Sequence, residues 1–452
     1  MSQPSLKLPV IQNWSCHNCS GCCREHLIEI TEVEKRRIEK QGWTAKDGIS
    51  MERPVIQKIA RGRYRLAHTA DGACVFLNED GLCRIHANFG ESAKPLACRV
   101  YPYAYHPAGK EITVSLRFSC PSVVQNLGTP VARQSAGLRQ VASEVIAGKK
   151  MAVAPPAIHG SQQLDWADFH RFLKALDDSF ADESVNFAVR LMRVLTWLEV
   201  VEVSQFSTVR GAKLDDYLAR LLAAARKAQP DNDLPVLKPG RSARTMFRQM
   251  VAQYARHDTE ATARGGLKTK LRLAATAVRF ATGRGRVPLM PEPASVSVAF
   301  GGNLRGESDA EAVPSTPAES RRSQQPSRRP SFADLEAPFS CRRPDVDELF
   351  TRYFRVKIQG IHFCGPAHYD TPLLEGFQSL ALMYPITLWL AVLRAARRGD
   401  SRIELQDAQA ALATTDHNFG YSPALGLRSA LNRVRILARM QQVTAICGWY
   451  SR

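Results

Sequence analysis

Four cysteines within eight residues constrain this chain more than any other feature of its sequence. They form the run Cys16-x-x-Cys19-x-x-Cys22-Cys23, and Gly21 inside the run gives the backbone freedom to wrap around an ion. Thiolates are soft ligands that suit zinc and iron-sulfur clusters, and a two-residue spacer lets two sulfurs of one turn face the same centre. The run therefore predicts a thiolate metal site.

More cysteines follow within the first 120 residues, so the sulfurs outnumber the four that one tetrahedral site or one four-iron cluster requires. The predicted metal ligands are Cys16, Cys19, Cys22, Cys23, Cys74, Cys83, Cys98 and Cys120. Adjacent side chains of an extended backbone point to opposite sides, so Cys22 and Cys23 need not share a centre. Two tetrathiolate sites, or one cluster plus a smaller closed site, both agree with this set.

Other side chains near the thiols are candidates for supporting roles. A histidine could complete a site, although an unpaired surface histidine is the commoner case; the three near the thiols are His17, His26 and His86. Arginines directly after cysteines would lower thiol pKa values and offset the charge of a thiolate centre; these are Arg24, Arg84 and Arg99. The isolated cysteines are expected to be buried and inert; they are Cys341, Cys364 and Cys447.

The N-terminus lacks the features of a secretory signal. Met1 to Asn13 has neither a long apolar run nor a small-residue cleavage site, so we expect a cytoplasmic protein whose thiols stay reduced. In a reducing compartment the eleven cysteines are poor candidates for a disulfide framework, and clustered ones are better explained as metal ligands or redox groups.

Composition and charge place the chain among soluble globular proteins. At 452 residues, 44% hydrophobic and 23% charged, it suits two or three domains. Much of its net charge of +18 lies between Arg241 and Arg286. A nucleic-acid partner is not expected, because the basic residues carry no interleaved aromatic pattern for stacking bases, and solvated helix faces explain them.

One segment is apolar enough to raise the question of a membrane span. Gly376 to Leu393 carries no charge over nearly the minimum length that crosses a bilayer. Polar Gln378 and Ser379, together with Pro385, favour a buried core helix instead. We therefore expect no membrane span.

The order of patterns predicts an α+β protein, in which a small irregular cysteine-rich domain precedes a mostly α-helical part. Thr31-x-x-Glu34 is typical of a capping box that opens a helix to about Gln41. Short β-branched or aromatic segments predict strands; they are Val55 to Ala60, Tyr64 to Ala67, Ala73 to Leu77 and Ile112 to Phe118.

Later in the chain the apolar residues recur at helical spacing. Beyond the basic region, the helices are predicted at Val346 to Val356, Leu374 to Arg397, Leu405 to Ala413 and Leu427 to Val443. Glu307 to Pro330 is rich in Ser, Pro, Arg and Glu and predicts a flexible linker. The expected domains are a metal domain (1–160), a basic helical region (161–290), a linker (291–340) and a C-terminal helical region (341–452).

Three sequence blocks resemble the CxxCxxCC family of zinc- or iron-chelating proteins, which includes the flagellin lysine N-methylases. The blocks are Cys16 to Cys23, Cys74 to His86, and Lys94 to Pro102. They fall within about residues 14 to 121, and the helical remainder resembles the longer members only in general character. The family usually has arginine where Lys94 stands.

The resemblance implies a metal centre and, for some members, a protein-lysine methyltransferase that uses S-adenosylmethionine and a protein substrate. The nearest candidate for a donor site is Val296 to Phe300 followed by Gly301 and Gly302, but it leads into the linker and not into a helix. The chain is thus interpreted as an iron-sulfur or zinc protein with methylase chemistry to be tested. The alternative is a non-enzymatic electron-transfer or partner-binding protein. Catalytic residues and oligomeric state do not follow from the sequence.

Overall fold

The computed structural model describes most of the chain outside the predicted linker. It covers residues 5–50, 52, 54–147, 153–229, 237–256, 267–288, 290, 296, 299, 329–339, 341 and 343–452. The predicted linker from Glu307 to Pro330 lies outside the described residues except at its last two positions, and so does most of the candidate donor segment.

The N-terminal part contains short strands and short helices. The strands are β1 (Ser5–Lys7), β2 (Glu29–Ile30), β3 (Ile56–Ala60), β4 (Arg63–Leu66), β5 (Tyr103–Ala108) and β6 (Glu111–Leu116). The helices are α1 (Gly21–Glu25), α2 (Glu32–Glu39), α3 (Arg84–Phe89), α4 (Leu96–Val100), α5 (Pro121–Val124) and α6 (Ser135–Ile146). Short 3-10 turns separate some of them.

Two three-stranded sheets organise this part. In one, β6 is central, with β1 parallel and β5 antiparallel to it. In the other, β4 is central and pairs antiparallel with β2 and β3. The second sheet packs on a small separate core around Trp43, Phe76 and Ile85, and this core also contains Cys74.

The rest of the described chain is helical. Its helices are α7 (Trp166–Ala181), α8 (Phe187–Glu202), α9 (Ala212–Ala228), α10 (Arg241–Tyr254), α11 (Leu267–Thr282), α12 (Phe332–Glu336), α13 (Pro344–Gln359), α14 (Leu373–Arg398), α15 (Leu405–Asn418), α16 (Arg428–Arg439) and α17 (Gln442–Tyr450). Their apolar faces form one large core, which we call the helical core.

The helical core extends into the N-terminal part. Buried residues of β5 and β6, including Tyr103, Val114 and Leu116, belong to the same cluster as the helices that follow. Thr113 of β6 donates a hydrogen bond to the carbonyl of Gly360, at the end of α13. The division of the chain at residue 160 stays a prediction, and buried apolar contacts run continuously from one side of it to the other.

Helix α14 occupies the centre of the helical core. Among the described residues it is the helix whose length and composition would suffice to cross a membrane, and 89% of its most apolar window is buried inside the protein. Trp389 and Phe377 on this helix are almost completely enclosed. An apolar stretch of this length is explained by packing against surrounding helices on all sides.

The α+β prediction is confirmed, and two of the predicted elements are wrong in detail. The capping box is present, with Glu34 and Thr31 bonded to each other at the start of α2. Ala73 to Leu77 forms isolated bridges and not a strand, because the amide of Cys74 donates to the cysteine loop. The helix predicted from Leu427 to Val443 is split at Gln441, whose φ of 52° ends α16 and starts α17 in another direction.

Candidate metal centre

The first four cysteines lie on a tight loop that we call the cysteine loop, residues 16–23. Asn18 and Ser20 have φ values of 54° and 55°, in the left-handed region that residues other than glycine adopt rarely and asparagine more often than most. The amide of Cys23 then donates to the carbonyl of Ser20 at 3.0 Å, which closes the turn into α1. The backbone thus coils so that successive thiols project from a short arc.

A glycine turn supports the cysteine loop from outside. Gly81, between Cys74 and Cys83, has a φ of +78°. A Cβ atom there would come within 2.7 Å of the carbonyl oxygen of Asn18. Only glycine allows both this backbone conformation and this close approach.

The next three cysteines are brought to the loop by short elements. Cys74 donates its amide to the carbonyl of Cys23 at 2.7 Å, which ties the second block to the loop. Cys83 stands directly before α3, and Cys98 lies within α4. Three sequence blocks that are far apart along the chain therefore meet around one loop.

Cys120 reaches the loop from the side of the helical core. It stands directly before α5, and a proline follows it at the first helical position. Its side chain is buried together with the main cluster of apolar residues. The eight cysteines differ in their exposure to solvent. Cys74 and Cys120 are buried, and Cys16 and Cys22 are exposed. The other four are partly buried; they are Cys19, Cys23, Cys83 and Cys98.

The effects of the thiols on one another's ionisation show which of them are neighbours. Burial raises the pKa of Cys74 to about 12, and Cys98, Cys83 and Cys22 add to this increase. Burial also raises the pKa of Cys98 to about 12, with further contributions from Cys22 and Cys83. These residues form a first group, consisting of Cys22, Cys74, Cys83 and Cys98.

A second group shares Cys22 with the first. Burial raises the pKa of Cys19 to about 11, helped by Cys22 and Cys16. Burial likewise raises the pKa of Cys120 to about 12, with contributions from Cys19 and Cys22. Cys22 itself lies 4.0 Å from Cys23, sulfur to sulfur, and the contact between these thiols is the largest cause of its strongly raised pKa. The two groups therefore meet at the Cys22–Cys23 pair.

Two of the three neighbouring arginines pair with carboxylates, and the predicted effect of Arg24, Arg84 and Arg99 on the thiols stays a prediction. Arg99 makes two hydrogen bonds to Glu144, of 2.6 and 2.7 Å, and Arg24 pairs with Asp71 at 3.2 Å. The cation that does lower the pKa values of Cys22 and Cys98 is Lys94. The lysine that replaces the family's usual arginine therefore still provides positive charge beside the thiols.

The histidines near the thiols have different surroundings. His17 and His86 are exposed, and a ring nitrogen of His17 lies 2.8 Å from the carbonyl of Ser15. His26 stacks on His417 of α15, with ring centroids 5.3 Å apart, and also contacts Tyr101. His26 therefore lies where the cysteine loop meets the helical core.

The thiols lie in one region of the domain, but their side chains are not arranged as a coordination sphere. In the part of the chain that the structure describes, no three His, Cys, Asp or Glu side chains stand close enough to hold a metal ion as they are. Buried thiols with raised pKa values are neutral, and a soft metal cation supplies the charge that stabilises the thiolates. The chemistry of the donor set, soft sulfur ligands, fits zinc or an iron-sulfur cluster.

The helical core contains a polar cluster that the sequence patterns did not reveal. Lys357 of α13 and Asp416 of α15 are both fully buried, 2.7 Å apart. His362 and His368 are also buried. The available signal was Lys357, which directly follows the helix predicted to end at Val356. Its partner Asp416 is too distant along the chain to be recognised from the sequence.

The fold and the site define the class of this protein: a cysteine-rich metal-binding domain, joined to a large helical part. A family model named CxxCxxCC, described as "Putative zinc- or iron-chelating domain", matches residues 15–121. The flagellar biosynthetic protein FliU of Salmonella muenchen is 36% identical over 120 residues, which cover 24% of this chain and 70% of that protein. The chain belongs to the CxxCxxCC family.

Two curated enzymes are also similar over this domain. The lysine-N-methylases of Salmonella choleraesuis and Salmonella typhimurium are 31% and 30% identical over 121 residues. These residues make up 24% of this chain and 29% of the length of each enzyme. No solved structure matches the chain.

Proposed function

We propose that the N-terminal domain binds an iron-sulfur cluster through its cysteine thiolates, with zinc as the alternative metal. The observation that supports this most directly is the convergence of three distant cysteine blocks on one loop. The proposed ligands are Cys16, Cys19, Cys22, Cys23, Cys74, Cys83, Cys98 and Cys120. The domain then needs a reducing compartment, and we take this to be the cytoplasm.

The two groups of thiols favour two centres over one. The first group, with Cys74 and Cys98, and the second, with Cys19 and Cys120, need four sulfurs each for closed tetrathiolate ligation. Cys22 and Cys23 are adjacent at the place where the groups meet, and one of them can serve each centre. This division uses all eight sulfurs.

The chemistry that we propose to test is methylation of protein lysines, with S-adenosylmethionine as donor. Its support is the similarity of the N-terminal domain to the two lysine-N-methylases, which covers under a third of those enzymes. A protein substrate would then bind the helical part. If the chain is not an enzyme, the same centre would serve electron transfer or the docking of a partner.

Metal analysis of cysteine variants tests the metal centre. Cys19→Ser and Cys98→Ser each remove one ligand from a different group, so each should lower the content of iron, sulfide or zinc in anaerobically purified protein. The loss should destabilise the N-terminal domain by roughly several kcal/mol, since metal binding is coupled to folding. Cys447→Ser is the matched control, because this thiol is buried among α14 and α17 and contacts the carbonyl of Ala381 at 3.6 Å.

The outcomes separate the alternatives. Acid-labile sulfide with iron identifies a cluster, and zinc without sulfide identifies a closed zinc site. Equal metal content in all three variants would contradict the assignment. Calorimetric titration of the metal-loaded protein with S-adenosylmethionine tests the methylase chemistry separately, and absence of binding would count heavily against that chemistry.

A further inference from the structure

A buried ion pair forms the base of a polar site between the N-terminal domain and the helical core. Lys357 and Asp416 are both completely enclosed, with 2.7 Å between Nζ and Oδ1. Asp416 also accepts hydrogen bonds from the Ser119 amide and the Tyr353 hydroxyl, each at 3.1 Å. The negative charge of Asp416 is therefore compensated by Lys357 and by these two hydrogen bonds.

The ammonium group of Lys357 fixes the proton of a neighbouring imidazole. Its three hydrogens can be assigned to Asp416, to the Leu116 carbonyl at 3.2 Å and to Nδ1 of His362 at 3.3 Å. Nδ1 of His362 also lies 3.1 Å from Ser115 Oγ, and because an ammonium group can only donate, Nδ1 accepts and the proton of His362 is assigned to Nε2. His362 is 1% exposed, and its Nε2 has no hydrogen-bond partner among the described residues.

A second buried imidazole nitrogen without a hydrogen-bond partner among the described residues lies near Gly420, as Nε2 of His362 does. His368 is 2% exposed, and its Nδ1 likewise has no partner in the described part of the chain. His362 Nε2 and His368 Nδ1 both lie 3.8 Å from the point where a Cβ of Gly420 would stand. The same Cβ would come within 2.9 Å of the carbonyl oxygen of Ala367, so this backbone, with φ of +77° at Gly420, requires glycine, and a buried N–H left unpaired beside it is costly.

An uncompensated cation lies beside this space. Arg117 stacks on the ring of Tyr421, which follows Gly420, at 3.9 Å, and donates to the carbonyl of His417 at 3.3 Å. Its Nε has no partner, and no carboxylate of the described residues is within ion-pair distance of it. The ring of His362 contacts the edge of Tyr421, with centroids 5.5 Å apart.

We propose that Arg117, His362 and His368, arranged around Gly420 and Tyr421, bind an oxyanion: the carboxylate or phosphate group of a small molecule. An anion would compensate the guanidinium and accept the hydrogen bond that His362 offers. With Asp416 committed to Lys357, the site has one positive charge in excess. Tyr421 is 41% exposed, so this edge of the proposed site faces solvent. The site is independent of which metal the thiols hold.

Binding of two probes to the full-length, metal-loaded protein tests this site. Inorganic phosphate and S-adenosylmethionine, whose methionine part carries a carboxylate, are each titrated by calorimetry in chloride buffer. Wild-type protein should bind at least one of them saturably. Arg117→Gln should weaken that binding by roughly tenfold or more, the usual effect of losing a hydrogen bond to a charged group.

Two further variants make the result specific. Arg139→Gln removes an exposed arginine of α6 and should leave binding unchanged. Gly420→Ala places a methyl group beside the imidazoles and within 2.9 Å of the Ala367 carbonyl oxygen, and should also weaken binding. Circular dichroism and the thermal midpoint show whether this variant and the others fold. Saturable binding of S-adenosylmethionine that phosphate competes against supports a carboxylate as a ligand group of this site, and binding of phosphate alone supports a phosphate.

Several results would overturn the proposal. These are no saturable binding of either probe by wild-type protein at millimolar concentrations, and equal binding by wild-type and Arg117→Gln protein. A third is a loss of metal from Arg117→Gln without any change in probe binding, which would make the guanidinium a charge partner of the thiolate centre. Since metal content is measured on the same samples, failure here is distinct from failure of the proposed metal centre.

Discussion

At the scale of single residues, the helical core encloses imidazoles that have to stay neutral. Burial, together with the nearby charge of Lys357, holds the pKa of His362 well below its usual range. The same two causes lower the pKa of His368 to about 3. In the unfolded chain both would titrate near their ordinary value of about 6.5. Acid therefore favours the unfolded state through these two side chains.

The stability of the protein should fall as pH decreases below about 6.5, and His368 should account for part of the fall. In that range the unfolded state binds a proton that folded His368 does not, so the free energy of unfolding decreases by about 1.4 kcal/mol per pH unit for this group. His368→Asn should reduce the slope by about that amount between pH 6 and pH 4 in denaturant titrations. His86→Asn, at an exposed position, is the control. Identical slopes for all three proteins would refute the assignment.

At the scale of elements, one carboxylate joins α2, the helix that follows the cysteine loop, to α4, the helix that carries Cys98. Oε2 of Glu34 accepts from the amide and hydroxyl of Thr31, at 2.7 and 2.8 Å, and so caps α2. Its Oε1 accepts from the amide of Leu96 at 2.7 Å, at the start of α4. The orientation of α4, and with it of the Cys98 thiol, depends on this side chain.

Replacing Glu34 should therefore affect metal binding as well as stability. Glu34→Ala leaves amides at the starts of α2 and α4 unpaired and should cost about 1–2 kcal/mol, the usual range for a lost helix cap. Because α4 loses a fixed start, metal content should also fall relative to wild type. Glu39→Ala, on the exposed end of the same helix, loses an ion pair with Lys35 and should keep its metal. Wild-type stability and metal content in Glu34→Ala would show that the bond to Leu96 is dispensable.

The elements that sequence predicts well are those whose causes are local. The Thr31–Glu34 box and the apolar spacing of α7, α8 and α14 act within a few residues, so both were recognisable. The Ala73 to Leu77 segment was wrongly predicted to be a strand, because its backbone hydrogen bonds go partly to the cysteine loop. The Lys357–Asp416 pair depends on the packing of α13 against α15, which no local pattern encodes.

At the scale of the whole molecule, the cysteine-rich part shares its apolar core with the helices that follow it. Side chains of β6, such as Ile112, Val114 and Leu116, are 0–1% exposed because they pack within the helical core. Among the described residues, the small core around Trp43 and Phe76 is the cluster that belongs to the N-terminal part alone. Apolar burial of this kind makes the two parts mutually dependent.

A fragment that ends at residue 147 should consequently fail to reach the native state. Without the helices, the inner face of β6 and the side chain of Cys120 would be exposed to water, which costs roughly 1.5–3 kcal/mol for each large apolar side chain. We expect aggregation, or a broad thermal transition, together with low metal content, compared with full-length protein prepared in the same way. Size-exclusion chromatography and near-UV circular dichroism measure this. A monomeric fragment with a sharp transition and full metal content would establish an autonomous domain.

The end of α15 has a consequence for anyone who wishes to build chimeras of this protein. Its three last residues point to different neighbours: Asp416 to Ser119 and Lys357, His417 to His26, and Asn418 to the carbonyls of Tyr254 and Arg256. A cysteine-rich domain taken from another member of the family would have to make these same contacts with residues 416–418. It would also have to fit at the point where the two sequences are joined. Exchange by recombination at a single crossover point is therefore expected to give few functional proteins.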